Sequence, residues 1–301
     1  MDVGARARAR SLATLAWMEI GFGDWTRAEQ TAHRAMRAAA ENGQAHVHAR
    51  AAGALAFLHG QRGDAGRAAE LLAVVERTAV PTRSRDLLAD AALVRGQLAM
   101  ASADHELALA HLSRLFDADD PAGEPDRARA ASFDLVEATV LTHGDVLGAL
   151  RQVDAAAAAR GPAPRRQVPV AAIQALVAPD GGVEAAVERA LAAGRDASPM
   201  LRARLHLVLG RRTGAARVPL TLAIQQFTAL GATVWAQLAQ DELRRSGRDL
   251  GRPMNGAGAA QRAVAVQRRS AEHWPKTVEP SSKVECGRRR TTFPDALPPL
   301  T

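Results

Sequence analysis

The sequence predicts an all-α fold of stacked helical hairpins over residues 1–247. Three observations support this prediction. A turn signature recurs about every forty residues, and apolar residues recur at the i, i+3, i+4 spacing of a helix face. Apolar residues make up 47% of the chain although aromatic residues are only 3%, and tyrosine is absent. The core must therefore consist mainly of Ala, Leu and Val, which suits closely packed helices.

The repeat is a turn that contains an aspartate, with an alanine four residues later. The four aspartates lie 40, 40 and 41 residues apart and are Asp24, Asp64, Asp104 and Asp145. Glycine precedes three of them, at Gly23, Gly63 and Gly144, and the alanines are Ala28, Ala68, Ala108 and Ala149. Glycine tolerates the left-handed conformation that ends a helix, and aspartate accepts hydrogen bonds from free amides at the start of the next helix. Because alanine lets two helices cross closely, each turn predicts a helical hairpin.

Two weaker copies extend the repeat toward the C-terminus. One is Gly182–Val183 followed by Val187, and the other is Gly214–Ala215. Residues 5–247 are therefore interpreted as about six hairpins. Hairpins of this kind bury their apolar faces by stacking, which produces a curved solenoid with a concave surface. The period exceeds the roughly 34 residues of a tetratricopeptide repeat, so we expect a tetratricopeptide-like domain with lengthened helices.

The best-defined hairpin is the last one, residues 227–247. One helix continues to Leu230, Gly231 breaks it, and a second helix carries Trp235 and Leu243. After Gly247 the composition changes, so we place the domain boundary there.

The tail, residues 248–301, differs from the repeat domain in composition. It contains six prolines, both lysines and the single cysteine of the chain. We expect one helix at 257–271 and disorder elsewhere in the tail. Eight arginines and two lysines against five acidic residues give the tail five of the chain's seven net positive charges. The repeat domain is nearly balanced, so the basic character of the chain does not predict nucleic-acid binding by that domain.

Composition also restricts the compartment. Cys286 alone cannot form an intramolecular disulfide or a cysteine metal cage, which fits a reducing environment. No apolar run approaches the roughly 18 residues expected of a membrane-spanning helix, and the N-terminus lacks the apolar core of a signal peptide. We therefore expect a cytoplasmic protein without a membrane partner.

No motif has the spacing that catalytic or cofactor chemistry requires. A phosphate-binding G-x-x-x-x-G-K-[ST] loop is absent, and so is the G-x-S-x-G motif of hydrolases. The acidic residues at 117–120 begin like a calcium loop, but Ala122 stands where glycine is needed and Ala128 where glutamate is needed. His46 and His48 are two residues apart, so a helix points them in different directions. We expect no enzyme activity, no cofactor and no metal.

The last two hairpins resemble a known family. The residues that carry the resemblance are the run LVLGRRTGAAR at 207–217 and Phe227, Leu230, Gly231, Trp235, Ala236, Glu242, Leu243, Arg244 and Gly247. The resulting phrase F…LGA…WA…A…ELRR.G is similar to the linker before the DNA-binding domain of LuxR-type transcriptional regulators, in particular the large ATP-binding, MalT-like group. The forty-residue repeat is similar to the sensor region of that family. The resemblance covers about residues 5–247.

The resemblance implies a sensor and coupling region that receives an effector or a partner protein. The family's P-loop domain and its helix-turn-helix are not found in this sequence, and the change of composition suggests a truncation or a frame change after about Gly251. We therefore expect neither ATP hydrolysis nor direct DNA binding. The chain would act through its concave surface on a protein partner, a small effector or an intact LuxR-type regulator.

Two other functions stay open. The first is a free-standing tetratricopeptide-like adaptor for protein–protein interactions. The second is a small-molecule binder in which His46, His48 and Arg50 project into the concave groove. Neither alternative requires a catalytic residue.

Overall fold

The computed structural model describes residues 3–158, 170–193, 198–213 and 216–249. These residues form thirteen α-helices and no β-strand, which confirms the predicted all-α class. In chain order the helices are α1 (Val3–Phe22), α2 (Trp25–Glu41), α3 (Ala45–Gln61), α4 (Ala65–Thr82), α5 (Arg85–Ala101), α6 (His105–Ser113), α7 (Pro125–Leu141), α8 (Val146–Ala158), α9 (Val170–Val177), α10 (Val183–Ala193), α11 (Pro199–Arg212), α12 (Arg217–Leu230) and α13 (Thr233–Asp249). None of these helices combines the length and apolar character needed to cross a membrane.

Three of the predicted turns share one geometry. Gly23, Gly63 and Ala103 have left-handed φ angles of +85°, +89° and +58°. The aspartate that follows each of them caps the next helix, because its carboxylate accepts a hydrogen bond of 3.0–3.1 Å from the amide three residues later. The alanine four residues after each aspartate is fully buried. Each turn therefore reverses the chain and brings two helices into close contact.

The fourth turn contains one extra residue, which accounts for its spacing of 41. His143, not Gly144, takes the left-handed conformation, with φ of +56°. The amide of Gly144 donates to the carbonyl five residues earlier, a bond that the aspartate makes in the other three turns. Asp145 follows and accepts a hydrogen bond of 2.9 Å from the amide of Gly148. The prediction that Gly144 supplies the left-handed residue is wrong, because the insertion places it after the bend.

Helices α3, α5 and α7 lie side by side and are called the inner row. Helix α5 packs against both α3 and α7, and all three helices are buried on several faces. Small residues permit this close packing. A methyl group added at Gly60 of α3 would overlap the side chain of Leu98 in α5, and one added at Gly96 of α5 would overlap Leu112 of α6. The inner row is thus the centre on which the other helices pack.

The C-terminal helices return to the first two repeat turns instead of extending the stack. Gly23 lies directly against the side chains of Pro199 in α11 and Leu230 in α12. Thr233, at the start of α13, donates its hydroxyl to the carbonyl of Arg62 at 2.7 Å. Each repeat of a simple solenoid contacts only its neighbours, whereas α13 contacts α3 and α5, and α11 contacts α1. The predicted solenoid with an open concave surface is therefore not confirmed.

Some of the remaining predicted features lie outside the residues that the structure describes. The turn at Gly214–Ala215 and the tail helix at 257–271 lie outside the described residues. At the fifth turn, Val183 begins α10, and both Val183 and Val187 are buried. Helix α13 continues to Asp249, two residues past the predicted boundary.

Candidate functional site

Phe227 and Trp235 join α12 to α13 in the protein interior. Their rings stack with centroids 5.6 Å apart and an interplanar angle of 26°, and both side chains are almost fully buried. Between them, α12 ends at Leu230 and Gly231 takes a left-handed φ of +75°. The break that the sequence predicts at Leu230–Gly231 is present. It turns Trp235 back against Phe227.

The other residues of the predicted linker lie along α13. Ala236 is buried, and Leu243 packs partly buried against the main core. Arg244 forms an ion pair with Asp241 at the surface. Gly247 lies in the last turns of the helix. Over α13 the predicted linker is therefore an ordinary amphipathic helix with one side facing the protein interior.

A buried arginine links α11 to the inner row. Arg204 is only 5% exposed, and its two terminal nitrogens pair with the carboxylates of Asp134 and Glu137 in α7. Burial alone would lower the pKa of Arg204, but the two carboxylates outweigh burial and raise the pKa above its usual value. The guanidinium therefore stays charged and compensates the charge of both carboxylates.

Two aromatic rings contact the guanidinium of Arg204. Its central carbon lies 4.7 Å from the ring centroid of Phe133 in α7 and 4.8 Å from that of Trp235 in α13. A cation at this distance is attracted by the ring quadrupole, and the attraction is worth about 2 kcal/mol or more when water is excluded. Arg204 therefore holds α7, α11 and α13 together at one point.

Two glutamines connect this point to the rest of the inner row. Trp235 donates its indole N–H to Oε1 of Gln61 in α3 at 2.7 Å. Gln97 in α5 donates from Nε2 to Oδ2 of Asp134 at 3.1 Å. Every helix of the inner row thus contributes a polar partner, so α13 is positioned against all three.

An alternating series of charges leads from this buried point to the surface. Arg211 of α11 lies 3.8 Å from Glu137 and 2.8 Å from Glu242 of α13. Glu242 also pairs with Arg245, which is 62% exposed, at 3.1 Å. Three arginines thus balance three carboxylates. The whole set is called the Arg204 network and consists of Gln61, Gln97, Phe133, Asp134, Glu137, Arg204, Arg211, Trp235, Glu242 and Arg245.

The Arg204 network is suited to positioning helices. Each of its carboxylates is paired with an arginine, so none is placed as a free general base. In the described ranges of the chain, no group of three His, Cys, Asp or Glu side chains could hold a metal ion. Removing one partner from a buried ion pair costs about 3–5 kcal/mol. A movement of α7 against α11 must therefore either carry α13 along or break these pairs.

A second polar cluster lies at the N-terminal ends of the inner row, where the sequence analysis placed effector residues. Nε2 of His46 lies 2.9 Å from Oδ2 of Asp86. Burial alone would raise the pKa of Asp86. The hydrogen bonds from Ser84 and His46 have the larger combined effect, so the pKa of Asp86 is lower than its ordinary value. His48 is half-buried on the same helix as His46. The structure thus places His46 in a hydrogen-bonding contact with Asp86 that joins α3 to α5.

The deeper part of this cluster contains unpaired polar atoms. Arg127 of α7 donates from Nε to Oδ1 of Asp90 in α5 at 2.6 Å. Asp90 is only 2% exposed, and burial raises its pKa despite the nearby Arg127. Oδ2 of Asp90 and Nε of Arg50 in α3 are buried without a hydrogen-bond partner. This pair of atoms offers one acceptor and one donor.

Sequence reasoning did not identify Arg204, Asp134 or Glu137. A signal was available, because Arg204 shares a helix face with Leu201, Leu207 and Val208, and a charge on an apolar face requires a partner. The partners themselves could not be read from the pattern. They lie 70 and 67 residues away along the chain.

Comparison with known proteins adds no relative. No family model matches the sequence, and no curated protein matches it at a significant level. The resemblance to LuxR-type regulators therefore rests on the linker residues and the repeat alone.

Proposed function

We propose that this chain is the sensor and coupling region of a LuxR-type transcriptional regulator, built from tetratricopeptide-like hairpins and acting in the cytoplasm. The observation that supports this most is the position of α13. This helix carries the part of the linker signature from Trp235 onward, and Trp235 is held against Arg204 and Gln61. A helix that connects a sensor to an output domain must have its position set by the sensor. The Arg204 network supplies that connection.

The network suggests how a signal would travel. Asp134 and Glu137 hold Arg204 from α7, and Arg204 in turn contacts Trp235. Helix shifts of about 1–2 Å are typical of switching proteins. A partner that moves α7 by this distance would displace Arg204 and with it α13. The output is then a changed position of α13 relative to whatever follows it or binds it.

Co-expression with an intact LuxR-type regulator from the same organism tests the proposal. We expect the tagged chain to form a stable heteromer with the regulator and to change its affinity for DNA. The variant Trp235→Ala should form the heteromer but change the DNA affinity less, because α13 is uncoupled from Arg204. Trp17→Ala, a partly buried tryptophan outside the network, is the matched control. Absence of a heteromer, or equal effects of both variants on DNA affinity, would contradict the proposal.

A small effector at the second polar cluster is the second candidate. The observation that favours it is the pair of unpaired buried atoms, Oδ2 of Asp90 and Nε of Arg50. An effector with a hydrogen-bond donor for Asp90 and an acceptor for Arg50 would satisfy both. Thermal-shift screening of common metabolites should give a hit that is lost in Arg50→Met and kept in Arg83→Met, at an exposed control position. No hit in the wild type would favour the free-standing adaptor.

A further inference from the structure

The outward face of α1 carries exposed apolar side chains. Leu15, Met18 and Phe22 follow the i, i+3, i+7 spacing and are 38%, 40% and 75% exposed. Ser11 and Thr14 lie on the same side of the helix and are also exposed. These five residues are called the α1 stripe. It carries no charge over three turns, whereas the exposed face of a surface helix usually carries charged and polar residues.

The aligned turns show which residues of α3 and α5 correspond to Met18 of the α1 stripe. The turns at Gly23, Gly63 and Ala103 align Met18 with Leu58 of α3 and Leu98 of α5, each five residues before its turn. Leu58 is fully buried, and Leu98 packs against the preceding inner helix at Gly60. Met18 therefore occupies a position that a helix covers in the next two repeats.

Charges are placed unequally at the two ends of the stripe. Arg8 and Arg10 are exposed at the N-terminal end, on either side of the stripe, and within the described residues they have no ion-pair partner. Beyond the C-terminal end lies Asp24, which is exposed and uses Oδ1 to accept from the amide of Arg27. A carboxylate has further acceptor sites. The two ends of this face thus have opposite charge.

We propose that the α1 stripe is a contact between two copies of this chain, packed antiparallel about a two-fold axis between Leu15 and Met18. A two-fold contact must be complementary to itself. In this register Leu15 of one copy faces Met18 of the other, and the large Phe22 faces the small Ser11. Arg10 of one copy then lies within about one residue, roughly 1.5 Å along the axis, of the level of Asp24 in the other.

The parallel alternative does not fit the same charges. It would place the Arg8 and Arg10 side chains of the two copies next to one another, and like charges in contact are repulsive. The antiparallel arrangement separates them and pairs the basic end with the acidic end. Weak and transient contacts lie below the roughly 1,200–2,000 Å² of stable interfaces, and a contact through one helix of each copy belongs with them, so we expect a weak, concentration-dependent dimer. This contact is independent of the proposed regulatory function.

The molar mass of the protein in solution tests the proposed dimer. Sedimentation equilibrium of the full chain over a roughly hundredfold concentration range should show a monomer–dimer equilibrium. Met18→Glu places a charge at the centre of the contact and should raise the dissociation constant at least about tenfold. Leu222→Glu is the matched control, because Leu222 on α12 is 39% exposed, and this variant should associate like the wild type. A wild type that stays monomeric, or a Met18→Glu variant that dimerises normally, would overturn the proposal.

Disulfide trapping tests the direction of packing. Two single variants, Ser11→Cys and Phe22→Cys, each carry Cys286→Ser to remove the native thiol. The antiparallel register predicts a disulfide-linked dimer when the two variants are mixed and oxidised, because residues 11 and 22 of different copies face each other. Ser11→Cys oxidised alone should stay largely monomeric. Efficient self-linkage of Ser11→Cys, with no mixed dimer linked between positions 11 and 22 in the mixture, would show parallel packing and overturn the proposal.

Discussion

Trp235 donates its indole N–H to Gln61, a residue 174 positions earlier in the chain, at 2.7 Å. Both side chains are almost fully buried, so neither can replace this hydrogen bond with one to water. The bond joins α13 to α3. It is a direct polar link between the last described helix and the first hairpins, and it helps to bring the ends of the described chain together.

Replacing Trp235 with phenylalanine should show how much this hydrogen bond contributes to the stability of the fold. Trp235→Phe keeps an aromatic ring but leaves Oε1 of Gln61 buried without a donor, which costs about 1–3 kcal/mol. Gln61→Met removes the acceptor. We expect the double variant to lose less stability than the sum of the single variants, by about 0.5–3 kcal/mol. Urea denaturation of the four proteins measures this, and strictly additive losses would show that the two side chains are not coupled.

Arg204→Met should be among the most destabilising changes in the chain. It leaves Asp134 in the interior without an arginine partner and Glu137 with only the more distant Arg211 at 3.8 Å, and an uncompensated buried charge costs about 3–5 kcal/mol. Neutralising the carboxylates as well, in Arg204→Met/Asp134→Asn/Glu137→Gln, should recover part of that loss. Thermal and urea unfolding measure both variants.

The control for this prediction is the surface pair of Arg244 and Asp241. Arg244→Met removes the same side-chain charge from an exposed ion pair, and such pairs contribute little to stability. We expect no measurable change in the urea midpoint. If Arg204→Met were equally mild, the Arg204 network would not hold the helices together.

Acid should destabilise the fold through partly buried histidines. Burial lowers the pKa of His105, His111 and His206 below the ordinary value of 6.5, and nearby arginines lower it further. Below pH 6.5 the unfolded chain therefore binds more protons at these sites, and stability falls as pH falls. The triple variant with glutamine at all three positions should lose less stability than the wild type between about pH 7 and 5. His33→Gln, at an exposed position, is the control for urea midpoints measured across this range.

The repeat turns allow a matched pair of opposite changes. Ala103 holds a left-handed φ of +58° that costs an alanine roughly 1 kcal/mol. Ala103→Gly should therefore raise stability by up to about that amount, whereas Gly63→Ala should lower it by a similar amount. An added methyl at Gly63 would meet Val234 at 3.6 Å, which is an ordinary contact, so the effect is conformational. Changes of the same sign in the two urea midpoints would contradict this explanation.

The turns were predictable because their chemistry is local. Each of three aspartates, Asp24, Asp64 and Asp104, caps a helix through an amide three residues away. Contacts between residues so close in the chain produce a pattern that can be recognised in the sequence. The fourth turn was misread at Gly144 because a one-residue insertion leaves the Gly-Asp dipeptide intact while moving the bend to His143. Sequence spacing recorded the insertion as 41 in place of 40, but not its position within the turn.

The candidate site was predictable only in part. The linker signature drew attention to Trp235 and Glu242, and both belong to the Arg204 network. Arg204 itself was missed because its role depends on partners in α7, and periodicity cannot pair residues from helices that are distant in the sequence. The effector residues His46 and Arg50 lie in a second cluster whose use stays a prediction.

The sequence by itself determined the all-α class, the hairpin turns and the break at Gly231, because helical periodicity, caps and left-handed residues act over a few positions. Only the tertiary structure decided that α11 and α13 return to the inner row. That packing depends on contacts such as Arg204 with Asp134 and Trp235 with Gln61, which span 70 and 174 residues. Contacts at such separations follow from the shape of the whole assembly and from the need of buried charges for partners, and no local pattern records either.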